Sequence, residues 1–267
     1  MRAFLSFMSL VVVAAVAYSA PAFGAVGADA PDPVVPDRVE QLARKAPKPP
    51  RVLPETLRPE YRQPLAVGSI LSRFGQLFRH RAFMGYAFTG AFQFAALFSF
   101  LSGSPFVFIE KYGIAPRAYG LIFGGMVVFM TIGSLLNAKF APVFGAGKIL
   151  RYAVIVPGIV GPAALIMGFI EARYGSIGMW PFLLCFGPQI ATISLIGPNA
   201  MAMALQRYPH MAGTASSLMG VMQFGLGAVF GALVGQTFDG TIAPMTTAMG
   251  IAGALCLVSH RLLVRGD

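Results

Sequence analysis

Thr89 and Gln93 stand one helical turn apart inside a long apolar run, and Phe100 falls on the same side of that run. Gln189, Thr192, Asn199 and Met203 form a second stripe at helical spacing, and Ser216, Gly220 and Gln223 form a third. Amides and hydroxyls are neither acids nor nucleophiles near neutral pH. What they offer is hydrogen bonds. In apolar surroundings such groups tie one helix to another, for about 1 kcal/mol or less each. Alternatively they line a cavity, where a few amides among aromatic and Met side chains hold small apolar molecules. Both readings fit the spacing. The candidates for cavity lining are Thr89, Gln93, Phe100, Gln189, Asn199 and Gln223.

The residues with stronger chemistry point away from catalysis. Glu110 and Glu171 fall near the ends of apolar runs, not in their middles. Cys185 and Cys256 lie in apolar runs far apart and read as small buried hydrophobes. His80, His210 and His260 each stand beside an Arg or a Pro where an apolar run ends. No metal-ligand spacing, nucleophile elbow or phosphate loop occurs, so neither an enzyme nor a metal or cofactor site is expected.

The elements that carry these residues follow from composition. Hydrophobic residues make up 56% of the chain and charged residues 11%, against about 25% charged in a soluble domain. So few charges cannot cover a soluble surface, and lipid is the expected solvent. A bilayer core needs roughly 20 apolar residues of helix. Six runs qualify, at 83–104, 118–138, 150–170, 178–204, 212–236 and 242–260, and none has a charge in its central portion. The net charge of +10 does not point to nucleic acid, because no basic cluster is interleaved with a folded polar domain.

Three segments are expected. Residues 1–24 are a hydrophobic N-terminal segment, with its apolar core from Ala3 to Ala17. It fits either a secretory signal, with small residues around Ala20-Pro21-Ala22, or a degenerate spanning helix. Residues 25–68 are a Pro-rich basic linker, and residues 69–267 are the six-helix membrane domain. Within the last, Ile70, Leu71, Phe74, Leu77 and Phe78 have amphipathic spacing beside Arg73, Arg79 and Arg81, which predicts an interfacial helix. Alternate loops carry 16 of the 20 Lys and Arg residues, whereas the opposite loops carry Lys111, Arg117 and Arg173. That bias places the linker and the C-terminus in the cytoplasm of a multi-pass protein of the plasma (inner) membrane. A cleaved signal would reverse the first span, so the two readings of the N-terminus conflict with each other.

Small residues repeat every fourth position at Gly120 and Gly124, and again at Gly227, Gly231 and Gly235. Such faces permit close helix crossing. The piece "VIVPGIVGP", from Val154 to Pro162, carries two prolines that loosen a helix. The first span is expected to end at Ser102-Gly103-Ser104-Pro105, with Phe106-Val107-Phe108-Ile109 at the membrane interface.

Three strings carry a family resemblance: "LPETLRPEYRQP", "GYAFTGAFQFAALFSFLSGSPFVFIEKYGIAPRAYG" and "GPNAMAMALQRYPHMAGTASSLMGVMQFGLGAVFGALVG". In order and spacing, the stretch from Leu53 to Arg261 resembles the C-terminal half of the Bcr/CflA drug-resistance subfamily of the major facilitator superfamily. The resemblance implies an all-α bundle equivalent to helices seven to twelve of a twelve-helix transporter. It implies proton-coupled antiport, exporting bicyclomycin-like and other small drugs. The sequence departs from the family pattern in two ways. The run Ala3–Ala17 matches helix six poorly, and the loop Asn137–Arg151 lacks the acidic residue of the usual signature. Because the family's coupling carboxylates commonly lie in the first half, the chain is expected to be incomplete alone, working as a homodimer or with a second transporter half. Rival expectations are an inactive truncated remnant and a membrane-anchored interaction protein whose linker binds a cytoplasmic partner or anionic lipid.

Overall fold

The computed structural model describes residues 67–175 and 178–264. The N-terminal segment lies outside them, as does the linker apart from its last two residues. In lipid every backbone N–H and C=O must be paired within its own segment, and the described residues are all helical or connecting, without a strand. In chain order the helices are α1 (Val67–Arg79), α2 (Arg81–Pro105), α3 (Pro116–Phe144), α4 (Ala146–Ala153), α5 (Ile155–Tyr174), α6 (Met179–Arg207), α7 (Ala212–Gln236) and α8 (Ala243–Leu263). Six stretches are long and apolar enough to cross a membrane, and each covers one of the six runs read from sequence, to within one residue at its start. In one of them α4 and α5 run together as Ala146–Tyr174.

The first span does not end at the Ser102–Pro105 cluster. It continues as a π-helical turn, Phe106–Lys111, in which the Tyr112 N–H donates to Val107 O at 3.1 Å. Three physical causes replace the expected stop. Pro105 has no N–H, so one rung of the helix is lost and the register slips. Gly103 admits Met245 of α8, whose sulfur would lie 2.8 Å from a Cβ added there. Ser104 shares a 2.8 Å hydrogen bond with the Tyr119 hydroxyl of α3. The apparent breaker is a contact point between three helices.

Helix α2 is the hub and packs against α6, α7 and α8, while α5 leans on α8 and α3 on α6. Two large apolar clusters fill most of the bundle, with a small one of Ala95, Ala96 and Ala252 between them. One gathers Phe83, Leu150, Ile196, Leu218 and Met222 near the end where the chain's basic residues lie, and α1 docks there through Leu77. The other gathers Phe100, Phe108, Phe182, Phe186, Ile242 and Met245 near the opposite end. Helix α3 stands apart. Of its 29 residues only Met126 and Gly133 are buried, and Leu121, Val128 and Leu135 expose one apolar stripe at seven-residue spacing.

Close crossings lie only partly where the four-residue glycine pattern put them. A Cβ on Gly227 would meet Phe98 at 3.0 Å, and one on Gly231 would meet Ser102 Oγ at 2.8 Å. Gly120, Gly124 and Gly235 have nothing within 4 Å among the described residues, so inside this bundle they pack no helix. Gly133 brings α3 against the Ala191 backbone of α6, and between α5 and α8 a Cβ on Gly161 would come within 2.7 Å of Gly250 O. The latter crossing falls inside "VIVPGIVGP", the piece whose prolines suggested looseness.

Candidate functional site

Halfway along α2, α6 and α7 a wedge of about 400 Å³ opens, lined by Gly90, Gln93, Phe94, Ser194, Pro198 and Gln223, with Ile193, Gly197 and Met201 closing it. That volume falls within the range of small-molecule sites, roughly 300–1,000 Å³. The wall is mostly apolar. Its polar groups are two amides, the Ser194 hydroxyl, which donates to Met130 O of α3 at 3.0 Å, and the backbone around Pro198, which cannot donate to the Ser194 carbonyl one turn earlier. Gln93 Nε2 donates to Gln189 O and to Thr192 Oγ1, both at 3.1 Å. This fixes the Gln93 side chain against α6. Its Oε1 is buried and has no partner among the described residues. An unsatisfied buried acceptor costs about 1–3 kcal/mol, which a polar ligand group would relieve.

The six candidate lining residues separate in space. Gln93 and Gln223 border the wedge. Gln189 is buried beside it, and both its amide atoms lack a partner among the described residues. Thr89 turns toward α8: its hydroxyl donates to Gly85 O at 2.7 Å, and its carbonyl accepts the Cys256 thiol at 3.4 Å. Phe100 is packed in the second apolar cluster. Asn199 donates to Asn137 Oδ1 of α3 and to Leu195 O, both at 2.6 Å. On α6 the sequence stripe therefore marks the face against α2 and α3. The wedge is lined by the adjacent face, which Ser194 and Pro198 present at i, i+4.

Sequence reading also missed a charge pair. Lys111, on the π-turn, forms an ion pair with Glu171 at the end of α5, with their side chains 14% and 2% exposed. Glu171 Oε2 also accepts the Ile242 N–H at 3.0 Å, capping the start of α8. One buried carboxylate thus joins three spans. Asp239, in the connection before α8, accepts the Thr241 hydroxyl at 2.6 Å and the Thr241 N–H at 3.0 Å. The hydroxyl bond foremost, helped by the positive charge of Lys111, holds the Asp239 carboxyl below its ordinary value. No partner for Lys111 could be picked from sequence, because Glu171 lies sixty residues away beyond an intervening span.

Among the described residues no group of three His, Cys, Asp or Glu could hold a metal ion. Both cysteines are free thiols.

A family profile described as Major Facilitator Superfamily matches residues 2–232, reaching further toward the N-terminus than the strings quoted above. The chain is 32% identical over 212 residues to the bicyclomycin resistance protein homolog of Haemophilus influenzae, covering 79% of this chain and 52% of that protein. It is 30% identical over 203 residues to the uncharacterized MFS-type transporter YdgK of Bacillus subtilis, covering 76% of this chain and 49% of that one. The chain therefore spans about half the length of these curated relatives. No solved structure matches it.

Proposed function

The chain belongs to the major facilitator superfamily, and on that premise we propose that its six spans form one wall of an export path for small, largely apolar drugs of the bicyclomycin type. The observation that carries this reading is the mid-depth wedge, with the Gln93 acceptor unsatisfied beside it. Transporters built of two repeats bind substrate near the bilayer midplane, between the repeats. The exposed apolar stripe of α3 is the surface offered to the other wall, which is a second six-helix unit or a second copy of this chain.

The coupling ion in this reading is a proton, carried on a carboxylate of that other wall. Among the described residues the carboxylates within spans are Glu110, which is exposed, and Glu171, which is locked to Lys111; both lie at one end. The basic bias of the loops supports a cytoplasmic C-terminus, and an inner-membrane location fits the same reading.

Drug accumulation in sensitive cells expressing the chain, with and without a co-expressed first half, tests the proposal. Gln93→Ala and Gln223→Ala should each cut export about tenfold, the worth of one lost hydrogen bond in a dry site. Gln76→Ala, on the exposed side of α1, should leave export unchanged. Membrane-inserted protein whose export ignores both wedge variants would overturn the assignment.

A further inference from the structure

A second recess, about 640 Å³, opens where α4, α5 and α8 meet α2 and α6 at the basic end. Lys148 and Arg151 reach it from α4, and His260 and Arg261 from α8; Tyr86, Ile155, Met203 and Val264 give it an apolar flank. None of the three described carboxylates lies at this end: Glu110, Glu171 and Asp239 all sit at the other. Neighbouring Arg81 is already engaged, donating to Leu262 O at 2.6 Å. Lys148, Arg151 and Arg261 have no carboxylate partner among the described residues. His260 is 8% exposed, and its Nδ1 is buried without a hydrogen-bond partner. An imidazole nitrogen left this way at the wall of a cationic recess points to a ligand.

We propose that this recess binds a phosphate-bearing anion, either the headgroup phosphate of an anionic lipid or free phosphate, with Arg151, Arg261 and Lys148 supplying the charge and His260 Nδ1 a hydrogen bond. Three features select that chemistry. The cations come from two helices and converge on one volume, as a multiply charged oxyanion requires. The recess lies at span ends, the depth of lipid headgroups. Its apolar flank suits the glycerol and first methylenes of a lipid better than bulk water. The proposal needs only the membrane-spanning bundle and does not depend on drug export.

The test titrates the full purified chain, in neutral detergent at constant ionic strength, with phosphatidylglycerol, phosphatidylcholine or inorganic phosphate, and follows the thermal unfolding midpoint. Phosphatidylglycerol should raise the midpoint saturably and phosphatidylcholine should not. An equal saturable rise with inorganic phosphate assigns the site to free phosphate, and its absence assigns it to the headgroup. In Arg151→Gln/Arg261→Gln the half-saturating concentration should increase about 30-fold, taking about 1 kcal/mol per cation. Should that variant fail to fold, the exposed single change Lys148→Gln should give about a fivefold increase by the same reckoning. Arg73→Gln/Arg79→Gln, on α1 and outside the recess, should titrate like the parent. Absence of a saturable rise with either anion would overturn the proposal, as it would if carboxylates of the linker fill the recess. Equal weakening in the α1 variant would overturn it too, by showing that charge anywhere at this end suffices.

Discussion

At one end of the bundle the partly buried Lys111 is paired with the buried Glu171, with the start of α8 tied to the same carboxylate. At the other end Lys148, Arg151 and Arg261 surround a recess with no carboxylate to meet them among the described residues. The first arrangement is closed, since charge, burial and backbone capping are all satisfied within the chain. The second is open, because its cations border a cavity and stay solvated. A cation that is paired and buried holds helices together, whereas one that is unpaired and wet is available for something else. The difference predicts opposite responses to the same kind of mutation.

The contrast is most exposed at Glu171. Replacing it with Ala strands Lys111 in a nearly dry site and should cost about 3 kcal/mol or more of stability, read as a fall in the thermal or denaturant midpoint in detergent. The double variant Lys111→Leu/Glu171→Leu should recover much of that loss, because it leaves no buried charge. A single variant as stable as the parent would dissolve the distinction between the ends.

Acid gives a smaller effect at the same end. Asp239 titrates below its ordinary value of 3.8 in the folded chain, chiefly through the Thr241 hydroxyl. A carboxyl depressed by folding adds stability above its unfolded value, and that stability is lost as pH falls through the folded one. Unfolding midpoints followed from about pH 5 to about pH 3 should therefore drop, and drop less in Thr241→Val. The smallest change is expected at the open end. Arg151→Gln/Arg261→Gln should alter the unliganded midpoint by no more than about 0.5 kcal/mol, as for exposed positions without a partner. A large loss there would mean that those guanidiniums already hold the fold together.

The spans were legible because each is a local property: length and an unbroken apolar run suffice, whatever packs alongside. The fate of the Ser102–Pro105 cluster was not legible. Gly, Ser and Pro normally announce a stop, and only the arrival of Met245 and Tyr119 from other spans turns them into a junction. The site was half visible. Helical spacing found the polar face of α6 but could not say which neighbour that face meets. Asn199 went to Asn137, and the wedge fell to Ser194 and Pro198 one step around the helix. Glu171 sat at the edge of its run and looked peripheral, because its partners are distant in sequence. Both expectations for the N-terminal segment, signal or span, concern residues outside those described.

Where α5 meets α8, Gly161 faces Gly250 and Gly253 so closely that peptide groups touch with no side chain between them. Two rods joined backbone to backbone have no rotamers to reshuffle and no layer to slide on. They should move as one double-width strut. Any rocking that opens or shuts the wedge must then be borne by α6 and α7, which line it together with α2.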